Sequence, residues 1–338
     1  MSLILRDIPT SQNAADYYLD DRLKRAVELA YALDKPLLLS GEPGTGKTQL
    51  AYKVADLLAS QTHLDAAPFL SKPIVFDTKS GSSAADLFYA YDAVRHFRSK
   101  ESVDTNAYVD FAALGKARIL AHGRDSGVFK NPRIQPLLGR CAELLATPQS
   151  SVVLIDEVDK APREFPNDLL NEMETGRFRI PELDFTLEKA GNSARVLVIL
   201  TSNFEKSLPN AFLRRCVFYH IPFPNDDHLL EIVSLRLGLR KEAVEGRTDP
   251  LTEALRRFKA FRERAAQTSS RVPSTAEFLD WLRVLKADDL LTDGDFPPKA
   301  PTANEPPSSQ RVRYESSLVV LQKDKDASMD AAANPLLA

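Results

Sequence analysis

PLLLSGEPGTGKTQLAYKVADLL (36–58) is the stretch whose reading decides the fold. Leu37, Leu38 and Leu39 make a short apolar run of the kind buried on both faces of a parallel sheet. Leu50, Ala51, Val54, Ala55 and Leu58 then repeat at three to four residues, which predicts an amphipathic helix beginning at Gly46 or Lys47. Between strand and helix, GEPGTGKT (41–48) fits G-x-x-x-x-G-K-[ST]. Gly41, Gly44 and Gly46 allow successive backbone N–H groups to turn into one concavity, and the helix N-terminus adds a favourable dipole for phosphate. In that arrangement Lys47 reaches the β- and γ-phosphates of a nucleotide and the Thr48 hydroxyl binds Mg²⁺. Glu42, Pro43, Thr45 and Gln49 complete the candidate nucleotide-binding set. An ordinary glycine-rich turn with a surface lysine would not need a strand on one side and a helix on the other.

Working outward, four more apolar segments read as strands: PIVFDT (73–78), SVVLID (151–156), RVLVILTS (195–202) and VFYHIPF (217–223). With 36–40 they predict a doubly wound α/β fold on a five-stranded parallel sheet, because helical patterns lie between them. Leu19, Leu23, Val27 and Ala30 predict a helix over 14–34. Residues 177–187 alternate differently: Phe178, Ile180, Leu183, Phe185 and Leu187 are spaced mostly by two. With a turn assigned to the polar stretch 188–194, this predicts a β-hairpin inserted before the 195–202 strand.

VVLIDEVDK (152–160) places Asp156 at the C-terminal edge of a buried strand, where ligands of such sheets bind. Asp156 is expected to hold the Mg²⁺ shell, and Glu157 to polarise an attacking water. In TSN (201–203), Asn203 either orients that water, contacts the γ-phosphate or simply caps a strand end. In LPNAFLRRC (208–216), the adjacent Arg214 and Arg215 suit either delivery of an arginine in trans to a γ-phosphate or a surface salt bridge.

The 338 residues are 43% hydrophobic and 27% charged, which is the mix of a globular protein with a core. Forty-four Lys and Arg against 47 acids argue against a chain devoted to wrapping nucleic acid. Two cysteines, Cys141 and Cys216, exclude a disulfide scaffold and a cysteine-rich zinc module, and the histidines never fall at HxxxH spacing. MSLILRDIPT is broken by Arg6 and Asp7 and does not read as a signal peptide, and no apolar run approaches the length of a membrane span. The reading is therefore cytoplasmic, with no membrane partner. Three regions are expected: a nucleotide-binding core over 1–225, a small helical domain over 226–289, and a Pro-rich linker and loose tail over 290–338. Within that tail RVRYESSLVVLQ (311–322) is open between a strand, a docking segment and neither.

In this order GEPGTGKT, VVLIDEVDK, TSN and LPNAFLRRC resemble the AAA+ ATPases, specifically the MoxR-like branch. ADLFYAYDAVRHF (85–97), APREFPNDLLNEME (161–174) and RVPSTAEFLDWL (271–282) look like that branch too, so that the resemblance covers about residues 10–288. It implies a Walker A loop at 41–48, a Walker B strand at 151–157, sensor 1 at Asn203, a pre-sensor hairpin at 177–194 and a helical lid. It places the arginine finger at Arg215, with Arg214 as second candidate, and sensor 2 at Arg271. It further implies ATP and Mg²⁺ as ligands, a hexameric ring with ATP between subunits, and chaperone-like remodelling or maturation of client proteins. A von Willebrand factor A-domain partner also comes with the resemblance.

Two other functions compete with that reading. Residues 236–271 hold ten Lys/Arg against five Asp/Glu, which would suit a nucleic-acid motor or loader. The plainer account is a solvated lid face in which Arg256, Arg257, Arg262 and Arg264 meet water or a neighbouring subunit. No recognised nucleic-acid motif accompanies the excess. A slow nucleotide-dependent assembly switch is the third possibility.

Overall fold

Five short strands form one parallel sheet: β1 (Leu37–Ser40), β2 (Ile74–Asp77), β3 (Ser151–Asp156), β4 (Val196–Ser202) and β5 (Val217–His220), in the order β2-β3-β4-β1-β5. The structure is a computed structural model and describes residues 13–61, 66–98, 104–191, 193–241, 249–268, 271–291, 296–298 and 307–321. All five strands fall inside the segments expected from apolar runs. Leu38, Leu154 and Leu200 have no exposed surface, and burying each contributes about 1.5–3 kcal/mol. Because β4 lies between β1 and β3, the C-terminal ends of these three parallel strands are neighbours.

By contacts the chain divides into two units. One comprises Leu19–Gly41 and Lys47–Ile221; the other comprises Met1–Tyr18, Glu42–Gly46 and Pro222–Ala338. The first holds the sheet and its helices, among them α1 (Asp21–Ala32), α2 (Lys47–Ser60), α3 (Ala113–His122), α4 (Phe165–Thr175) and α5 (Asn210–Arg215). Helix α1 starts at Asp21 rather than residue 14, because the Asp20 side chain accepts the N–H groups of Arg22 and Leu23 and fixes an N-cap there. The expected hairpin is present as Phe178–Ile180 against Phe185–Leu187. Its reversal lies at Pro181–Asp184, a 3₁₀ turn closed by Asp184 in the left-handed region, and not in 188–194. A second antiparallel pair, Tyr89–Tyr91 with Val109–Phe111, was not anticipated. Three-residue strands separated by 17 residues leave no periodicity to read.

The second unit is helical: α6 (Asp226–Leu237), α7 (Pro250–Gln267), α8 (Thr275–Ala287) and α9 (Ser309–Ser317). Each begins at a side-chain cap: Asn225 accepts the His228 N–H, Asp249 that of Thr252, Ser274 that of Glu277 and Ser308 that of Arg311. Phe258 and Phe278 stack at 4.4 Å beside the fully buried Trp281. Helix α9 starts at the end of the expected linker and runs into RVRYESSLVVLQ (311–322), the segment left open between a strand, a docking segment and neither, which is helical. Tyr314, Leu318 and Leu321 recur at four and three residues, and all are buried in the core of this unit. The Trp281 indole N–H donates to Ser317 Oγ at 2.9 Å. Burial pushes the Tyr314 hydroxyl up to about 12 although Arg257 and Arg311 pull it down. The remainder of the expected tail, 322–338, lies outside the described residues.

The lid arginines are also rearranged relative to expectation. Arg257 is buried and pairs with Glu253 at 2.7 Å, and Arg262 lies 3.6 Å over the Phe223 ring and 3.0 Å from the Glu42 carboxylate. Only Arg256 and Arg264 of the four expected to face outward are exposed. Arg256 itself donates to Glu253, and with Arg257 it holds that carboxyl below its ordinary range.

Leu318→Ala tests whether α9 and its 3₁₀ extension belong to the lid. It should lower stability by about 2–5 kcal/mol, read in urea by the fluorescence of Trp281, the single tryptophan of the chain. A transition coincident with wild type would remove residues 307–321 from the core.

Candidate functional site

Carboxylates and hydroxyls converge at the C-terminal ends of β3 and β4. Asp156 accepts a hydrogen bond from Thr48 Oγ1 in the first turn of α2, at 3.0 Å to Oδ2 and 3.3 Å to Oδ1. It also accepts from Thr201 Oγ1 on β4. Thr201 in turn accepts the Glu157 backbone N–H at 2.8 Å. Glu157 sits in the left-handed region (φ 55°, ψ 51°), a conformation that costs a non-glycine residue about 1–3 kcal/mol and persists only when its surroundings hold it. Its carboxylate meets Asn203 Nδ2 at 3.1 Å through Oε1 and the Lys160 ammonium through Oε2. The structure thus brings Thr48 to Asp156 and Asn203 to Glu157.

Lys47 is buried, and its ammonium donates to the Gly41 carbonyl at 2.8 Å. Gln49 follows in the same helical turn, half-buried. The loop tip Glu42–Gly46 belongs by contacts to the helical unit. Glu42 O accepts from the Thr45 backbone N–H at 3.4 Å and from its hydroxyl at 2.8 Å, and Pro43 between them is exposed. Gly44 has φ +75°, and a Cβ there would come within 2.6 Å of Ser274 Oγ at the cap of α8. Gly46 has φ +89°, with Tyr17 Cε2 3.0 Å from the same notional atom. Both positions therefore require glycine.

Arg214 is exposed at the end of α5, and Arg215 Nε pairs with Glu174 of α4 at 2.8 Å. That pair is about half exposed, a setting in which ion pairs contribute about 0–1 kcal/mol and exchange partners easily. Arg271 pairs with Glu277 at 3.2 Å, and Arg262 pairs with Glu42 at the loop tip.

Two residues of this constellation escape sequence reasoning. Thr201 reads as the tail of an apolar strand, although a hydroxyl ending a fully buried run was the signal available. Asp159 reads as one more solvated acid after the strand, yet it is 4% exposed. Its carboxylate accepts the N–H groups of Asn203 at 3.4 Å and Glu205 at 2.9 Å, bracketing the left-handed Phe204. Asp159 thereby fixes the loop that carries Asn203.

Thr48 and Asp156 offer a hydroxyl and a carboxylate, the hard oxygen donors that suit Mg²⁺ completed by phosphate and water. Among the described residues no helix is long and apolar enough to cross a membrane.

Residues 36–216 match the AAA domain family, dynein-related subfamily. No curated protein matches the chain. Among solved structures it is similar to the S. cerevisiae Hsp104–ADP complex (21% identity, 64% of this chain and 36% of that one, TM-score 0.34). It is also similar to C. elegans PCH-2 (19%, 65% and 47%, TM-score 0.32) and to a candidate ATPase from Cytophaga hutchinsonii (16%, 82% and 78%, TM-score 0.37). The chain spans between a third and a half of the length of the first two.

Asp159→Ala should strand the Asn203 and Glu205 amides and destabilise the sheet unit by about 1–3 kcal/mol per unsatisfied group. Chemical denaturation measures the loss, and an unchanged midpoint would show that water replaces the carboxylate without cost.

Proposed function

The chain belongs to the AAA domain family, in its dynein-related subfamily, and from that premise we propose that it is an ATP-hydrolysing, MoxR-like remodelling ATPase. The observation that carries the reading is the pairing of Thr48 with Asp156 and of Asn203 with Glu157 at adjoining strand ends.

In this reading Gly41–Thr48 surrounds the phosphates, with backbone N–H groups and the Lys47 ammonium as donors. Lys47 exchanges the neutral Gly41 carbonyl for an anionic oxygen, a charge-assisted and stronger bond. Thr48 and Asp156 would hold Mg²⁺, which would supply charge neutralisation at the phosphoryl oxygens. Glu157 accepts the proton of the attacking water, oriented by Asn203. Arg215, or Arg214 beside it, reaches the γ-phosphate of a neighbouring subunit, and the exposed Glu174 pair is easily released for that purpose. Arg271 as sensor 2 rests on the resemblance alone. The ring, its hexameric size, a protein client and a von Willebrand factor A-domain partner are carried over on the same ground, as is a cytoplasmic location.

The nucleic-acid alternative loses support from the lid, where Arg257 and Arg262 are engaged internally. Strong stimulation of ATP turnover by single- or double-stranded DNA would reverse that ranking. Turnover at concentrations where subunits assemble separates a motor from a slow switch.

Lys47→Ala should abolish ATP binding in a fluorescent-nucleotide titration; wild-type affinity would sink the site. Glu157→Gln should bind ATP with Mg²⁺ at wild-type affinity but lower turnover by about 10²–10⁴-fold, the range of a lost general base. Arg215→Ala should bind ATP yet not hydrolyse it. Mixing it with Lys47→Ala subunits, which keep Arg215, should recover turnover if the arginine works in trans.

A further inference from the structure

We propose that Thr201 is a positioning residue that locks the Asp156 carboxylate and the Glu157 backbone to one another, so that metal binding and water activation are set by a single hydroxyl. The proposal rests on the ATPase reading of the site and names a residue that this reading does not use.

Thr201 has no exposed surface, and it sits on β4, the strand next to β3. A threonine hydroxyl has one donor and two acceptor positions. Here the donor is given to Asp156 Oδ1 and an acceptor position to the Glu157 N–H at 2.8 Å, two consecutive residues of the neighbouring strand end. The first bond sets the rotation of the carboxylate. The second holds the left-handed backbone from which the Glu157 carboxylate meets Asn203.

Asp156 has a second donor, Thr48 Oγ1, at 3.0 Å. If that hydroxyl turns to Mg²⁺, Thr201 becomes the donor that keeps the carboxylate in place. Partners of this kind, one shell out from a metal ligand, are typically worth about 10–100-fold in metal affinity or activity. A hydroxyl that merely satisfies a buried polar group would affect folding and nothing else.

The test uses the full chain with Thr201→Val, which keeps the shape and removes the hydroxyl. A fluorescent non-hydrolysable ATP analogue is titrated with and without Mg²⁺, and kcat and KM for ATP are measured on the same protein. Thr201→Val should bind the analogue without Mg²⁺ as wild type does. It should lose about 10-fold or more of the Mg²⁺-dependent tightening, and a similar factor in kcat with KM little changed. Thr201→Ser should restore both. A Val variant equal to wild type in Mg²⁺ dependence and kcat would overturn the proposal. Should that variant not fold, Thr201→Ala and Thr201→Ser, which differ by the hydroxyl alone, give the same comparison, and equal behaviour of those two would overturn it as well. Wild-type protein with no Mg²⁺-dependent nucleotide binding would instead sink the ATPase reading, which keeps the two failures distinct.

Discussion

A carboxylate at the end of a buried strand is tolerable only if its oxygens find donors, and Asp156 finds them on two different elements. One hydroxyl comes from the first turn of α2 and the other from β4. That requirement ties together three segments far apart in sequence: the helix after the glycine loop, the acidic exit of β3 and the polar end of β4. The left-handed Glu157, the turn around Asp159 and the placement of Asn203 all lie downstream of it. Chemistry and stability meet here, because the groups that satisfy Asp156 also aim the groups that would act on a phosphate.

The sheet was legible because parallel strands covered on both faces write themselves as apolar runs, as SVVLID and RVLVIL do. What escaped has specific causes. The apolar repeat running through Leu19 places the start of α1 too early, because the hydrogen bonds of one capping side chain, Asp20, override it. Composition assigns the reversal of the 178–187 hairpin to the stretch holding Gly191 and Asn192, whereas Pro181 and Asp184 make it. Helix α9 was hidden by the prolines before it, and its apolar residues become a pattern only once Trp281 supplies something to pack against.

At the site, residues with a distinctive chemistry at a distinctive spacing could be read directly: Lys47 and Thr48 after the glycines, Asp156 and Glu157 at a strand exit. Thr201 and Asp159 could not, because their importance lies in partners contributed by other segments. A lone hydroxyl or a third acid has no sequence signature until the fold says what it faces. The lid arginines make the same point. A local excess of positive charge reads as an outward face, yet Arg257 and Arg262 turn inward to Glu253, Phe223 and Glu42.

The helix that closes over Trp281 bears on how assembly of this protein is measured. A chain cut after residue 289, where the composition changes, would lose Tyr314, Leu318 and Leu321 and lay bare the apolar surface they cover. Such surface associates with itself. In a protein expected to form rings, the resulting oligomers would imitate assembly while having nothing to do with nucleotide. The boundary that preserves the lid lies beyond residue 321, well outside the stretch matched to the family.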